Sequence, residues 1–78
     1  MSVSDKVKAS LNLSGKKIYE LAECFEISPQ AMRNKLSRQS FSAADLIKLC
    51  DFIGANLVID FGENQRVVFD SSDIQKGE

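Results

Sequence analysis

"IYELAECFEISPQAM", residues 18–32, decides how this chain is read. Ile18, Leu21, Ala22 and Phe25 recur at the three- and four-residue spacing of one helix face, while Glu20 and Glu23 fall off that stripe. The pattern then stops. Only Glu26-Ile27-Ser28 separates it from Pro29, after which Met32 and Leu36 resume an inward i, i+4 pair. Ser28-Pro29 is a helix start: the serine oxygen can cap free N–H groups, and proline suits the first helical position. The third helix is therefore expected from Pro29 to Ser37. Two helices joined by so tight a turn must cross steeply, with Ile27 tucked beneath as the pin. Ala22 is small enough to let another helix approach closely.

Upstream, "SVSDKVKASLNL" (residues 2–13) spaces Val3, Val7 and Leu11 as a one-faced helix requires. Ser4 is the expected N-cap, Asp5 suits the positive end of the helix dipole, and Gly15 is a natural stop. Downstream, Phe41 should plug the core. "SAADLIKLCDFIG" (42–54) opens with a Ser42-x-x-Asp45 capping pattern, carries Leu46, Leu49, Cys50 and Ile53 on its buried stripe, and ends at Gly54.

The period then falls to two. In "NLVIDFGENQRVVFD" (56–70), Leu57, Ile59 and Phe61 alternate with Val58 and Asp60, and Val67 and Phe69 with Arg66 and Val68. Gly62-Glu63-Asn64 lies between the runs, which predicts a β-hairpin. One face of it can pack on the fourth helix, leaving an apolar strip and an unpaired edge. The polar tail, 71–78, is expected to fray. The predicted fold is mainly α with a C-terminal β-hairpin: four helices over 4–54, two antiparallel strands over 56–70, one domain over 1–78. The expected core is Leu21, Ala22, Phe25, Ile27, Met32, Leu36, Phe41, Leu46, Leu49 and Ile53.

Seventy-eight residues, 44% of them hydrophobic, should fold around one barely sufficient core, a size at which a partner chain often adds stability. The net charge of −1 argues against indiscriminate binding to nucleic acid, but the charge is segregated. Residues 1–26 balance to zero, 27–44 carry Arg33, Lys35 and Arg38 against no acid (+3), and 45–78 carry −4. With two cysteines, no histidine and no CxxC pair, zinc binding is not expected; Cys24 and Cys50 read as reduced, buried hydrophobes of a cytosolic protein. The first residues lack the apolar core of a signal peptide, and no run approaches the ~20 apolar residues of a membrane span, so a soluble cytoplasmic protein is expected. Catalytic residues, metal and cofactors are expected to be none. No histidine can serve as base, no Gly-rich phosphate loop is present, and neither cysteine has an activating neighbour.

Leu21-Ala22, the Ile27-Ser28 turn and Met32, followed by an apolar helix ending in Gly54, give the chain its resemblance. Over roughly residues 4 to 57 it resembles the lambda-repressor-like helix-turn-helix of the Cro/phage-repressor (Xre) family of bacterial and phage DNA-binding proteins. Two positions differ from the common family pattern. Ile18 stands where the family commonly has a phosphate-holding Gln, and Glu26 where it commonly has Gly, which implies a non-glycine residue at positive φ.

The resemblance implies that the third helix enters the major groove with its N-terminal residues at base edges. The expected base contacts are Gln30, Ala31, Arg33 and Asn34. Gln30 and Asn34 can each pair with adenine, Ala31 can meet a thymine methyl, and Arg33 can read guanine or hold phosphate. The expected phosphate contacts are Lys16, Lys17, Ser28, Lys35 and Arg38, with Lys16 and Lys17 replacing what Ile18 lacks. Tyr19 reads as an exposed or boundary residue. Polar residues on an outward helix face are also what any soluble helix displays; their place in the motif gives them meaning. Some family members carry C-terminal strands that pair across a dimer. A homodimer through Val58, Asp60, Arg66 and Val68 is therefore expected, with two reading helices about 34 Å apart on a palindromic operator. The function implied is a transcriptional repressor occupying double-stranded DNA. The alternative is an antitoxin-like or adaptor protein whose hairpin binds another polypeptide, such as a toxin or antirepressor.

Overall fold

The structure, a computed structural model, describes residues 2–74. Four helices precede two strands: α1 Val3–Ser14, α2 Ile18–Cys24, α3 Pro29–Arg38, α4 Ala43–Ile53, β1 Leu57–Gly62 and β2 Gln65–Phe69. This is the mainly helical fold with a terminal hairpin that the periodicities predict. The chain divides into two compact units, Met1–Phe41 and Ser42–Glu78, so α4 groups with the hairpin.

Local chemistry accounts for the helix boundaries. Ser28 Oγ accepts from the Ala31 N–H at 3.0 Å with Pro29 behind it, and Ser42 and Asp45 cap each other reciprocally at 3.1 and 3.0 Å. The start of α1 differs from expectation. Its N-cap is Ser2, paired with Asp5 in the same Ser-x-x-Asp box, and Ser4 lies inside the first turn. Ser4 is buried, and its hydroxyl donates to the Leu36 carbonyl of α3.

All four helices close in one way, with a left-handed residue whose N–H reaches back three residues while the next N–H reaches back five. Gly15 and Gly54 fill this position after α1 and α4. Glu26 and Gln39 fill it after α2 and α3, at φ 59° and 54°. The positive φ expected at Glu26 is present. Helix α3 runs to Arg38, one residue past the expected Ser37.

In the first unit Val7, Leu11, Leu21, Ala22, Met32 and Leu36 are buried, while Phe25, Ile27 and Phe41 are half-buried. Besides the Ser4–Leu36 bond, the Val3 N–H donates to Gln39 Oε1 at 3.0 Å. These two bonds tie the start of α1 to the end of α3. Val3 itself is exposed, off the stripe that Val7 and Leu11 bury.

In the second unit the buried residues of α4 are Ile47 and Leu49; Leu46, Cys50 and Ile53, expected with Leu49 on one buried stripe, are only half-buried. Ile47 lies about 100° around the helix from Leu46, because successive residues turn by that angle. It faces a hollow lined by Ala43, Ala44, Val67 and Phe69, so the helix is apolar on more than one side.

The hairpin pairs Leu57 with Phe69, Val58 with Val68, Ile59 with Val67 and Asp60 with Arg66. Glu63 and Asn64 form its two-residue turn at φ 48° and 67°, as a type I′ turn requires. Phe61 is the extra residue of a bulge between Asp60 and Gly62. Only the Leu57/Phe69 end is half-buried, whereas Ile59 and Phe61 are exposed, so the apolar strip expected on the hairpin is present. Residues Ser71–Asp73 form a 3-10 turn capped by Asp70, where fraying was expected; 75–78 lie outside the described residues.

Candidate nucleic-acid interface

Met32 and Leu36 point α3 inward, and the 100° advance per residue then fixes what it shows outward. Gln30, Asn34, Ser37 and Arg38 stand opposite the buried pair, and all four are exposed. Gln30 Nε2 donates to Asn34 Oδ1 at 3.2 Å, so the two amides form one joined polar edge. Each keeps further donors, and Gln30 keeps its own oxygen as acceptor, so the pair can still meet an adenine or another donor–acceptor edge. Ala31 is half-buried beside them, its N–H committed to Ser28. The Ser28 oxygen accepts that bond, which leaves its hydroxyl hydrogen to donate.

The basic residues split between two flanks. On one side Lys35 Nζ lies 5.6 Å from the centroid of the Phe41 ring, a cation–π distance that draws the ammonium toward the end of the unit. On the other side Arg33 reaches a cleft that it shares with Lys8 of α1 and with Lys16, Lys17 and Tyr19 around the α1–α2 turn. A neighbouring hollow again joins Lys8 and Arg33, now with Ser37. Among the described residues no carboxylate lines either space. The first residues of α2 are served from within: the Lys17 N–H donates to Glu20 Oε1 at 2.8 Å.

The arrangement thus brings Gln30, Asn34 and Arg38 onto one face and gathers Lys16, Lys17 and Arg33 at its edge. Lys35 is set apart. Lys8 and Ser37 belong to the same surface although sequence reasoning passed over them. Lys8 sits in a segment whose charges cancel, which hid it from a charge count. Ser37 continues the i, i+4, i+7 series begun by Gln30 and Asn34, and that spacing could have found it.

The residues expected at a dimer interface are also placed. Val58 and Val68 face each other across the strands, exposed on the side that carries Asp60 and Arg66. Asp60 is engaged within the hairpin, its Oδ1 accepting from the Gly62 N–H at 2.8 Å and its Oδ2 lying 3.6 Å from Arg66 Nε. Cys24 and Cys50 are free and half-buried, and desolvation pushes the Cys50 thiol above its ordinary pKa. Among the described residues no group of His, Cys, Asp and Glu could hold a metal ion, and no helix is long and apolar enough to cross a membrane. Comparison with known proteins finds no match to a family model, a curated protein or a solved structure.

Proposed function

We propose that this protein binds double-stranded DNA in a sequence-dependent way through the outward face of α3, as a bacterial or phage-type repressor that acts by occupying its operator. The observation that carries this reading is the joined Gln30–Asn34 edge on an exposed helix whose inward residues are fully committed to the core. Amide pairs of this kind suit the donor–acceptor pattern of the major groove, and the cations beside them suit phosphates. The tight turn between α2 and α3 and the Xre-like residues Leu21-Ala22, Ile27-Ser28 and Met32 support it further.

Selection of bound duplexes from a random pool, followed by gel shifts across a salt series, tests the reading. A recurring motif is expected, with affinity falling as salt rises. Gln30→Ala and Asn34→Ala should each weaken the selected site by about 1–3 kcal/mol and relax its sequence preference. Because the two amides touch, the double variant should lose less than the two single losses combined. Absence of any shift at low salt removes the reading.

A homodimer formed through the hairpin is part of the proposal. Val58, Ile59, Phe61, Val67 and Val68 are all exposed, a concentration of apolar surface that a monomer rarely leaves open. The same surface favours the second reading, an adaptor whose hairpin binds a different polypeptide. A single mass of twice the chain at equilibrium supports the first; a monomer that binds no DNA supports the second.

A further inference from the structure

Glu20 raises a difficulty for a DNA backbone at this face, and the cleft beside it supplies an answer. A phosphate approaching the start of α2 would meet a main-chain N–H already bonded to the Glu20 carboxylate, with a negative charge at its door. The turn in front of it is different. Lys8 projects from α1, Lys16 and Lys17 from the α1–α2 connection, and Arg33 from α3, all lining one cleft with Tyr19 at its wall. These residues come from three places in the sequence, and the fold brings four cations around one space. Lys8, Lys17 and Arg33 are exposed, so a phosphate group can reach them.

We infer that this cleft is the seat of one DNA backbone phosphate, held by the ammonium groups of Lys8 and Lys17 and the guanidinium of Arg33. The inference rests on the DNA-binding reading above and makes it more specific. It moves Arg33 from the base readers to the phosphate ligands. Arg33 lies on the flank of α3, about 80° from the buried direction, whereas Gln30 and Asn34 lie nearly opposite it. An arginine there clamps a phosphate with its planar fork while the amides remain over the bases. It also gives α1, otherwise a structural helix, a direct part in docking. A phosphate held between α1 and α3 sets how deeply the reading helix can enter the groove.

The test uses the whole protein with variants Lys8→Gln, Lys17→Gln and Arg33→Gln. Their retained melting temperature is checked first, and Lys8→Arg serves as the charge-keeping control. Fluorescence anisotropy is measured on the selected duplex and on an unrelated duplex across a salt series. Each Gln variant should weaken both duplexes by one common factor and reduce the log–log salt slope by about 1, while Lys8→Arg keeps both values. Base preference, read by repeating the selection with Arg33→Gln, should be unchanged.

Wild-type protein that binds no duplex overturns the seat together with the reading beneath it. Wild-type protein that binds, with Lys8→Gln and Lys17→Gln unaltered in affinity and slope, overturns the seat alone. A changed base at one position with Arg33→Gln returns Arg33 to the base readers. A titration with inorganic phosphate, followed by NMR, separates the remaining source. Saturation of the Lys8, Lys17 and Arg33 signals by micromolar phosphate, with DNA affinity untouched by the variants, would assign the cleft to a free phosphorylated ligand and overturn the backbone assignment.

Discussion

Asp5 shows how much one side chain can do without being buried. It closes the capping box of α1, and hydrogen bonds from the Ser2 main chain and hydroxyl, with the charge of Lys8 adding to them, hold its carboxyl below the usual carboxylate range. A lowered folded pKa stabilises the fold above the ordinary value of an unfolded aspartate and is lost as pH falls through the folded value. Asp5→Asn should therefore lower the melting temperature near neutral pH, and the gap from wild type should close in acid. Thermal scans at about pH 7 and about pH 2.5 check this. Cys50 carries the opposite shift, since burial disfavours its thiolate. Its alkylation should need a higher pH than that of an ordinary thiol.

Helix ends decide more of this fold than helix interiors. Glu26 and Gln39 occupy the same left-handed closing position, but they are not equivalent. The Glu26 side chain is exposed, and the left-handed conformation costs a non-glycine residue on the order of 1 kcal/mol. Glu26→Gly should raise the unfolding free energy by up to about 1 kcal/mol after the greater freedom of glycine in the unfolded chain is offset. Gln39→Gly gains the same relief but loses the bond from the Val3 N–H, so no gain is expected there. Chemical denaturation of both variants separates the cases. Ser42→Ala should cost about 1 kcal/mol in the same assay, because it removes half of a capping box.

The elements were legible in the sequence because their signals are local. Ser28-Pro29, Ser42-x-x-Asp45, Gly15 and Gly54 mark boundaries, and the change of period from 3.6 to two marks the hairpin. The N-cap of α1 differs from expectation because Ser2 and Ser4 both precede the one acid of that helix, Asp5, and only the three-residue spacing of the capping box tells them apart. The half-burial along α4 was not legible, since an apolar helix with Leu46, Ile47, Leu49, Cys50, Phe52 and Ile53 offers several stripes. Of the candidate interface, Gln30, Asn34 and Arg38 on the outward face of α3 followed from Met32 and Leu36, whereas Ala31 and Lys35, expected there, are half-buried and Ser37 joins the face instead. The cleft did not. Lys8, Lys17 and Arg33 are brought together by tertiary packing that no spacing rule encodes.

At the scale of the whole molecule, the balance of exposed surface matters most. The basic flank belongs to the first unit, while the exposed hairpin apolars belong to the second with most of the acids. If the hairpin pairs with its copy, Val68→Lys should place an uncompensated charge in that contact and raise the dimer dissociation constant by about tenfold or more. Sedimentation at tens of micromolar measures this, and a wild-type chain that stays monomeric there removes the dimer from the proposal. The division of labour along α3 has a different consequence. Met32 and Leu36 hold it, Ser28 and Gln39 end it, and Gln30, Asn34, Ser37 and Arg38 carry no part of the packing. The outward positions can therefore drift over generations at little thermodynamic cost, so that, if α3 reads DNA as proposed, a lineage of such chains could exchange one specificity for another while inheriting the scaffold intact.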